Sequence, residues 1–256
     1  MSFFQKALAS VGVGAAKVDT VLHHHLLSPG KPVEGEIIIQ GGNVMQTIEK
    51  IYLRVFATFE KESDDKKYTD TAIIESFLAA EKLTIGVKEQ KKIPFSFVLS
   101  PYTPLTLGKT KVWISTGLDI KNAVDPTDKD YLEVQANHMV SSLLNTISDL
   151  GFQLRQVECK EGSLHGRQHL PFLQELEYMP VSGPFYGKLD EIEIIFLSIQ
   201  DKTLEILLQI DKKARGLSGL FAEAFDMDEQ FVRLAIKEEE LPALQQQLFA
   251  IIEQHT

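Results

Sequence analysis

A single cysteine, Cys159, stands in the whole chain. It excludes an intramolecular disulfide and any multi-cysteine zinc site, and it agrees with a reducing compartment. No apolar run approaches the ~20 residues that cross a bilayer. The N-terminus also lacks the basic region, apolar stretch and cleavage site of a secretory signal, so the expected location is the cytoplasm. Basic residues are short as well: 26 Lys and Arg against 36 Asp and Glu give a formal charge of −10. Nucleic-acid binders gain affinity from clustered Lys and Arg, so no nucleic-acid partner is expected, and a neutral or basic protein surface is the better complement. Two local basic groups, Lys88 with Lys91 and Lys92, and Lys212 with Lys213 and Arg215, read as solvated faces and turn ends.

Catalytic signatures are absent too. There is no Gly-x-Ser-x-Gly elbow, no His-Glu-x-x-His helix and no phosphate-binding glycine loop. Gly12-Val-Gly-Ala-Ala16 follows a helical pattern instead of a strand and lacks the third glycine of a dinucleotide loop. His138, His165 and His169 lie near Glu158, Glu161 and Arg167 in sequence, yet nothing anchors a nucleophile among them, and exposed loop histidines are the simpler reading.

What is present is 44% hydrophobic residues in 256, enough to bury a full core in one large or two ordinary domains. Ser2 to Val11 reads as a short amphipathic helix: Ser2 and Gln5 have capping-box spacing, and Phe4, Leu8 and Val11 share a face. Docking on the body of the protein is its expected role, with contact of Phe3 and Phe4 with a membrane as the less favoured one. From Val18 the period becomes two. Ile51, Leu53, Val55, Ala57 and Phe59 alternate with Tyr52, Arg54, Phe56, Thr58 and Glu60, and Ile93, Phe95, Phe97 and Leu99 repeat the pattern. Turn signals separate such segments, and no crossover helices intervene, which implies an antiparallel sandwich. Val140, Leu143, Leu144, Ile147 and Leu150 keep helical spacing with Gly151 as a stop. Strand patterns resume at residues 154–157, 174–178, 189–199, 204–210 and 231–236. A closing helix begins near Pro242, with Leu244, Leu248, Ile251 and Ile252 as its stripe.

Two constellations invite chemistry. His23-His24-His25, placed on a strand, puts two imidazoles on one face and the third on the other, too few for a local metal site. The segment from Trp113 to Tyr131 passes from a strand-like stretch through Asp119, Asp125, Asp128 and Asp130 to another. It reads as a hinge between two β domains. Its carboxylates supply hard oxygen ligands but lack the turn glycine and distant glutamate of an EF-hand loop, leaving turn capping or a polar contact between the halves.

The segments Lys17–Leu22, Pro29-Gly30 with Val33–Ile37, Gly41-Gly42, Ser115–Asp119, Asp125-Pro126, Gly183–Phe196 and Arg215–Leu220 with Asp228-Glu229 together resemble the bacterial sporulation-control protein family. The resemblance covers nearly the whole chain. It implies a mainly β, arrestin-like fold of two tandem antiparallel β-sandwiches: residues 1–125 after a short helix, and residues 126–256 with an internal and a C-terminal helix. It also implies a non-catalytic regulatory or scaffold protein that works through protein–protein contact, since that family has no accepted catalytic residues or cofactor to carry over. Because arrestins hold their halves together through a buried polar core, Asp119, Asp125 and Asp128 become the candidate interdomain joint, with Arg155 or Arg167 as candidate partners. At the charged tip between Lys61 and Lys67, Asp64 and Asp65 are the candidate contact that steers a protein partner to a sheet edge. The alternative readings are a metal-assisted enzyme built on the His and Asp clusters and a peripheral membrane adaptor.

Overall fold

The computed structural model describes residues 15–63, 66–121, 124–162, 170–211 and 231–255. The helix expected from Ser2 to Val11 lies outside them. The described chain is mainly β, as the period-two patterning requires.

The first half is a two-layer sandwich. Its smaller sheet joins β1 (Lys17–Leu22), β3 (Pro32–Gln40) and β6 (Gln90–Val98), antiparallel in the order β1-β3-β6. Its larger sheet is built on β4 (Gln46–Ser63), which pairs with β5 (Lys66–Ile85) on one side and β7 (Val112–Ile120) on the other. β8 (Thr127–Val134) and the short β2 (Leu26–Leu27) extend it. Val33, Ile37 and Ile39 from one sheet and Ile51, Leu53, Val55, Ile114 and Leu118 from the other fill the space between them, all buried. The alternation in β4 places its odd-numbered apolar residues in this layer, so its even-numbered residues form the outer face.

The second half is a five-stranded antiparallel meander: β9 (Phe152–Glu161), β10 (Phe172–Pro180), β11 (Glu191–Ile199), β12 (Thr203–Asp211) and β13 (Phe231–Lys237). Two helices, α1 (His138–Asp149) and α2 (Leu244–Gln254), pack against each other, and α1 lies on β9 and β12. Asn137 caps α1 by accepting the Val140 N–H, and Gly151 follows the helix at φ +92°, where a Cβ would sit 2.2 Å from the Ser182 carbonyl oxygen. Only glycine fits there. Where a second sandwich was expected, the described residues form one sheet with helices on one face. Helices supply the second layer because Leu143, Ile147, Leu248 and Ile252 offer the apolar stripe that another sheet would otherwise provide.

The halves share one core. β4 outruns β7 at Ala57 and continues until Glu60 bridges Lys160 of β9, and Phe59 stacks on Phe172 with ring centroids 5.6 Å apart. The boundary expected at residue 125 falls in the turn of the β7–β8 hairpin, at the end of the first sandwich remote from the second sheet. The chain passes between the halves at Gln135–Asn137 instead, where β8 ends and α1 begins.

Candidate functional site

The three aspartates assigned to the joint lie elsewhere. Asp125 Oδ1 accepts the Ile120 N–H at 2.9 Å, closing the β7–β8 turn. Asp128 Oδ2 accepts the Thr20 N–H at 2.7 Å, which ties β1 to β8 within the first half. Asp119 sits on the outer face of β7 opposite Lys50, and among the described residues its side chain forms no hydrogen bond or ion pair. The position is set by register: nine residues of β7 place Asp119 near the far end of the strand, away from the second sheet. Asp119→Ala should therefore change stability by less than ~0.5 kcal/mol, while Asp125→Ala, which loses a turn cap, should cost about 1 kcal/mol; paired thermal melts check both. Asp64 and Asp65 lie outside the described residues, as do Arg167, His165, His169, Phe3 and Phe4.

The buried part of the joint is built from neutral groups, while at its exposed rim Lys31 pairs with Asp201. The segment after β6 threads between the halves, and the Gln174 side chain from β10 clamps it: its Nε2 donates to the Leu105 carbonyl at 2.7 Å and its Oε1 accepts the Leu105 N–H at 2.8 Å. Asn137 Nδ2 donates to the Gln200 carbonyl, and the Ile199 N–H donates to Pro101. An amide on a buried strand face pairs both backbone groups of Leu105 at once, without the desolvation cost of an ion pair. No sequence signal marks Gln174, which stands beside Glu175 and Glu177 in the same strand.

The outer face of the large sheet is unusual. Direct cross-strand partners run Ile73, Phe56, Trp113, Tyr131 across four strands. Phe56 and Trp113 stack nearly parallel with centroids 5.3 Å apart, and Tyr131 tilts against Trp113 at 6.2 Å. The next row holds Arg54, Ser115 and Lys129. The Lys129 ammonium lies 4.0 Å from the Trp113 ring centre and 4.8 Å from that of Tyr131, and the Arg54 guanidinium lies 5.2 Å from Tyr52. Cations over ring faces are attracted by the ring quadrupole. Tyr131 is 63% exposed, Leu78 51% and Ile73 46%, whereas Trp113 is 8% exposed because its neighbours cover it. The polar-out positions of β4 were legible in the sequence; the pairing that lines them up with Trp113 and Tyr131 was not.

A second polar cluster covers the face of the second sheet away from the helices. Arg155 pairs with Glu177 at 2.6 Å and Glu191 at 3.2 Å, and Lys160 with Glu175 at 2.6 Å. Glu193 lies beside them, 3% exposed, and its Oε2 has no hydrogen-bond partner among the described residues. Burial, aided by the Glu175 charge, pushes its carboxyl up to about 8, so it is protonated at neutral pH. In the first sandwich burial and the adjoining Asp128 push Asp130 up to about 6. The three consecutive histidines are exposed in the loop between β1 and β2, not on a strand, and the described residues contain no group of three or more His, Cys, Asp or Glu placed to hold a metal ion. Cys159 is buried beside Thr110. Among the described residues no helix is long and apolar enough to cross a membrane.

Comparison with known proteins follows the same architecture. Residues 4–214 match the family model described as SpoOM protein. The sporulation-control protein spo0M of Bacillus subtilis (strain 168) is 39% identical over 241 residues, 94% of this chain and 93% of that protein. The crystal structure of Spo0M, sporulation control protein, from Bacillus subtilis superimposes with a TM-score of 0.87 at 36% identity, covering 95% of this chain and all of that one. With a family match over most of its length and a relative of this identity across nearly all of it, the chain belongs to the SpoOM protein family.

Proposed function

We propose that this chain is a non-catalytic regulatory protein of sporulation control that acts in the cytoplasm as an arrestin-like scaffold, by binding other proteins. The sporulation role comes from the named relative in Bacillus subtilis. The observation that carries the binding role is the outer face of the large sheet, where Tyr131, Ile73 and Leu78 stay exposed around the Phe56–Trp113 stack. Large exposed apolar groups grouped on one rigid face mark interaction sites, and Trp, Tyr and Arg are the residue types that dominate such contacts. A sheet braced by four strands holds them in place without the ordering cost of a loop.

The test is genetic. A Bacillus subtilis strain lacking its own sporulation-control protein is supplied with this chain, and heat-resistant spores are counted. The expected outcome is a spore yield shifted toward that of the parent strain. A yield equal to the empty-vector control, with the chain accumulating as folded protein, would overturn the sporulation role.

A further inference from the structure

The outer face of the large sheet has a charge as well as a shape. Lys50, Arg54 and Lys129 all lie on it, all exposed, and none forms an ion pair within the described residues. Elsewhere in the described chain several lysines and arginines meet carboxylates: Lys31 pairs with Asp201, Lys61 with Asp70, Lys92 with Glu36, Arg155 with Glu177 and Arg233 with Glu205. Lys50 lies between Glu81 and Asp119 in the register, but Arg54 is flanked by Ser76 and Ser115 and Lys129 faces Ser115, so in a chain of net charge −10 these two cations beside the aromatic row form a small basic patch.

Resting on the protein-binding role proposed above, we infer that this face takes an acidic peptide segment of a partner protein, one that carries an aromatic or aliphatic side chain among its carboxylates. The apolar side chain seats against Ile73, Phe56 and Tyr131, and carboxylates reach Lys129 and Arg54, whose charges already sit over rings that hold them in position. The row from Ile73 to Tyr131 spans four strands, roughly 14 Å at the usual strand spacing, the reach of about four or five extended residues. Gly117, opposite Tyr52, leaves the surface open there: a Cβ would meet nothing within 4 Å. A phosphate backbone fits less well. Nucleic-acid binding of useful strength rests on a larger set of basic contacts, commonly about six to ten. An anionic membrane surface likewise asks for a denser basic cluster.

The inference is tested by panning a phage-displayed library of random 12-residue peptides against the full chain. Individual winners are then measured as fluorescein-labelled synthetic peptides. The expected winners have net negative charge with at least one aromatic or aliphatic residue, and bind at least tenfold more weakly to Lys129→Glu with Arg54→Glu. Lys129→Met, which keeps an apolar stem over Trp113 but removes the charge, should weaken binding several-fold with an unchanged melt, separating charge from fold. Labelled oligo-dT and phosphatidylserine vesicles serve as competing probes. Winners of neutral or basic composition, indifference to the charge reversals, or stronger capture of either competitor would each overturn the acidic-peptide assignment while leaving a protein contact elsewhere on the molecule open to the spore assay; an empty panning would also overturn it.

Discussion

Gln174→Ala is expected to lower stability by about 4 kcal/mol, the sum of two buried backbone groups left unpaired at ~1–3 kcal/mol each and the cavity that remains. The loss is large because Gln174 is 3% exposed and Leu105 fully buried, so water cannot take over either bond. For a chain of this size the melting temperature should fall by roughly 10 °C. Gln174→Glu should be as damaging: the second carboxylate oxygen cannot donate to the Leu105 carbonyl, and a charge would be buried without a cation. The loosened segment from Ser100 to Lys111 should then become the first site of limited proteolysis. A loss below ~1 kcal/mol, with cleavage unchanged, would show that the other contacts between the halves, the core around Phe59 and Phe172 among them, hold the joint without Gln174.

The second large effect concerns pH. Glu193 holds its proton up to about pH 8 in the folded chain, against an ordinary glutamate value of 4.5. Between those values the folded state binds a proton that the unfolded state has released. Glu193 therefore subtracts stability as pH rises through this window, and its contribution is flat below it and above it. The groups around it set the sign: burial acts first, then Glu175, Glu191 and Glu177 raise its pKa, and the Lys160 ammonium opposes them. Glu193→Gln, which supplies a neutral group of the same shape, should match the parent near pH 4.5 and gain stability steadily toward pH 8, by up to about 4 kcal/mol. Chemical denaturation across that range reads the difference. A gap between variant and parent that stays constant with pH would mean that Glu193 is ionised in the folded chain.

Much of this architecture could be read from spacing. The alternation in residues 51–60 gave the central strand its two faces, and the helical stripe from Val140 to Leu150 matched α1 with its glycine stop. β5 escaped because it is an edge strand whose residues are mostly exposed or half-buried, so twenty residues of strand carry little alternation. The segment from Trp113 to Tyr131 was read as a hinge because turn residues and carboxylates interrupt it, yet the same residues make a tight hairpin, with Asp125 capping the turn. Local chemistry identified a turn correctly and could not say which strands it joined. The second sheet hid its polar cluster for a related reason. Glu175, Glu177, Glu191 and Glu193 look solvated one at a time, and only the β10–β11 register brings them onto a single buried face.

The most direct measurement of action by protein contact is site-specific photocrosslinking in sporulating cells, with benzoylphenylalanine placed at Tyr131 in one strain and at Tyr186 in another. The two positions are almost equally exposed, 63% and 66%, but Tyr131 ends the aromatic row and Tyr186 lies in the loop between β10 and β11. The expected result is an adduct of discrete mass from position 131, containing a second protein, and none of the same mass from position 186. No protein adduct from position 131, or the same adducts from both positions, would contradict recognition through this face.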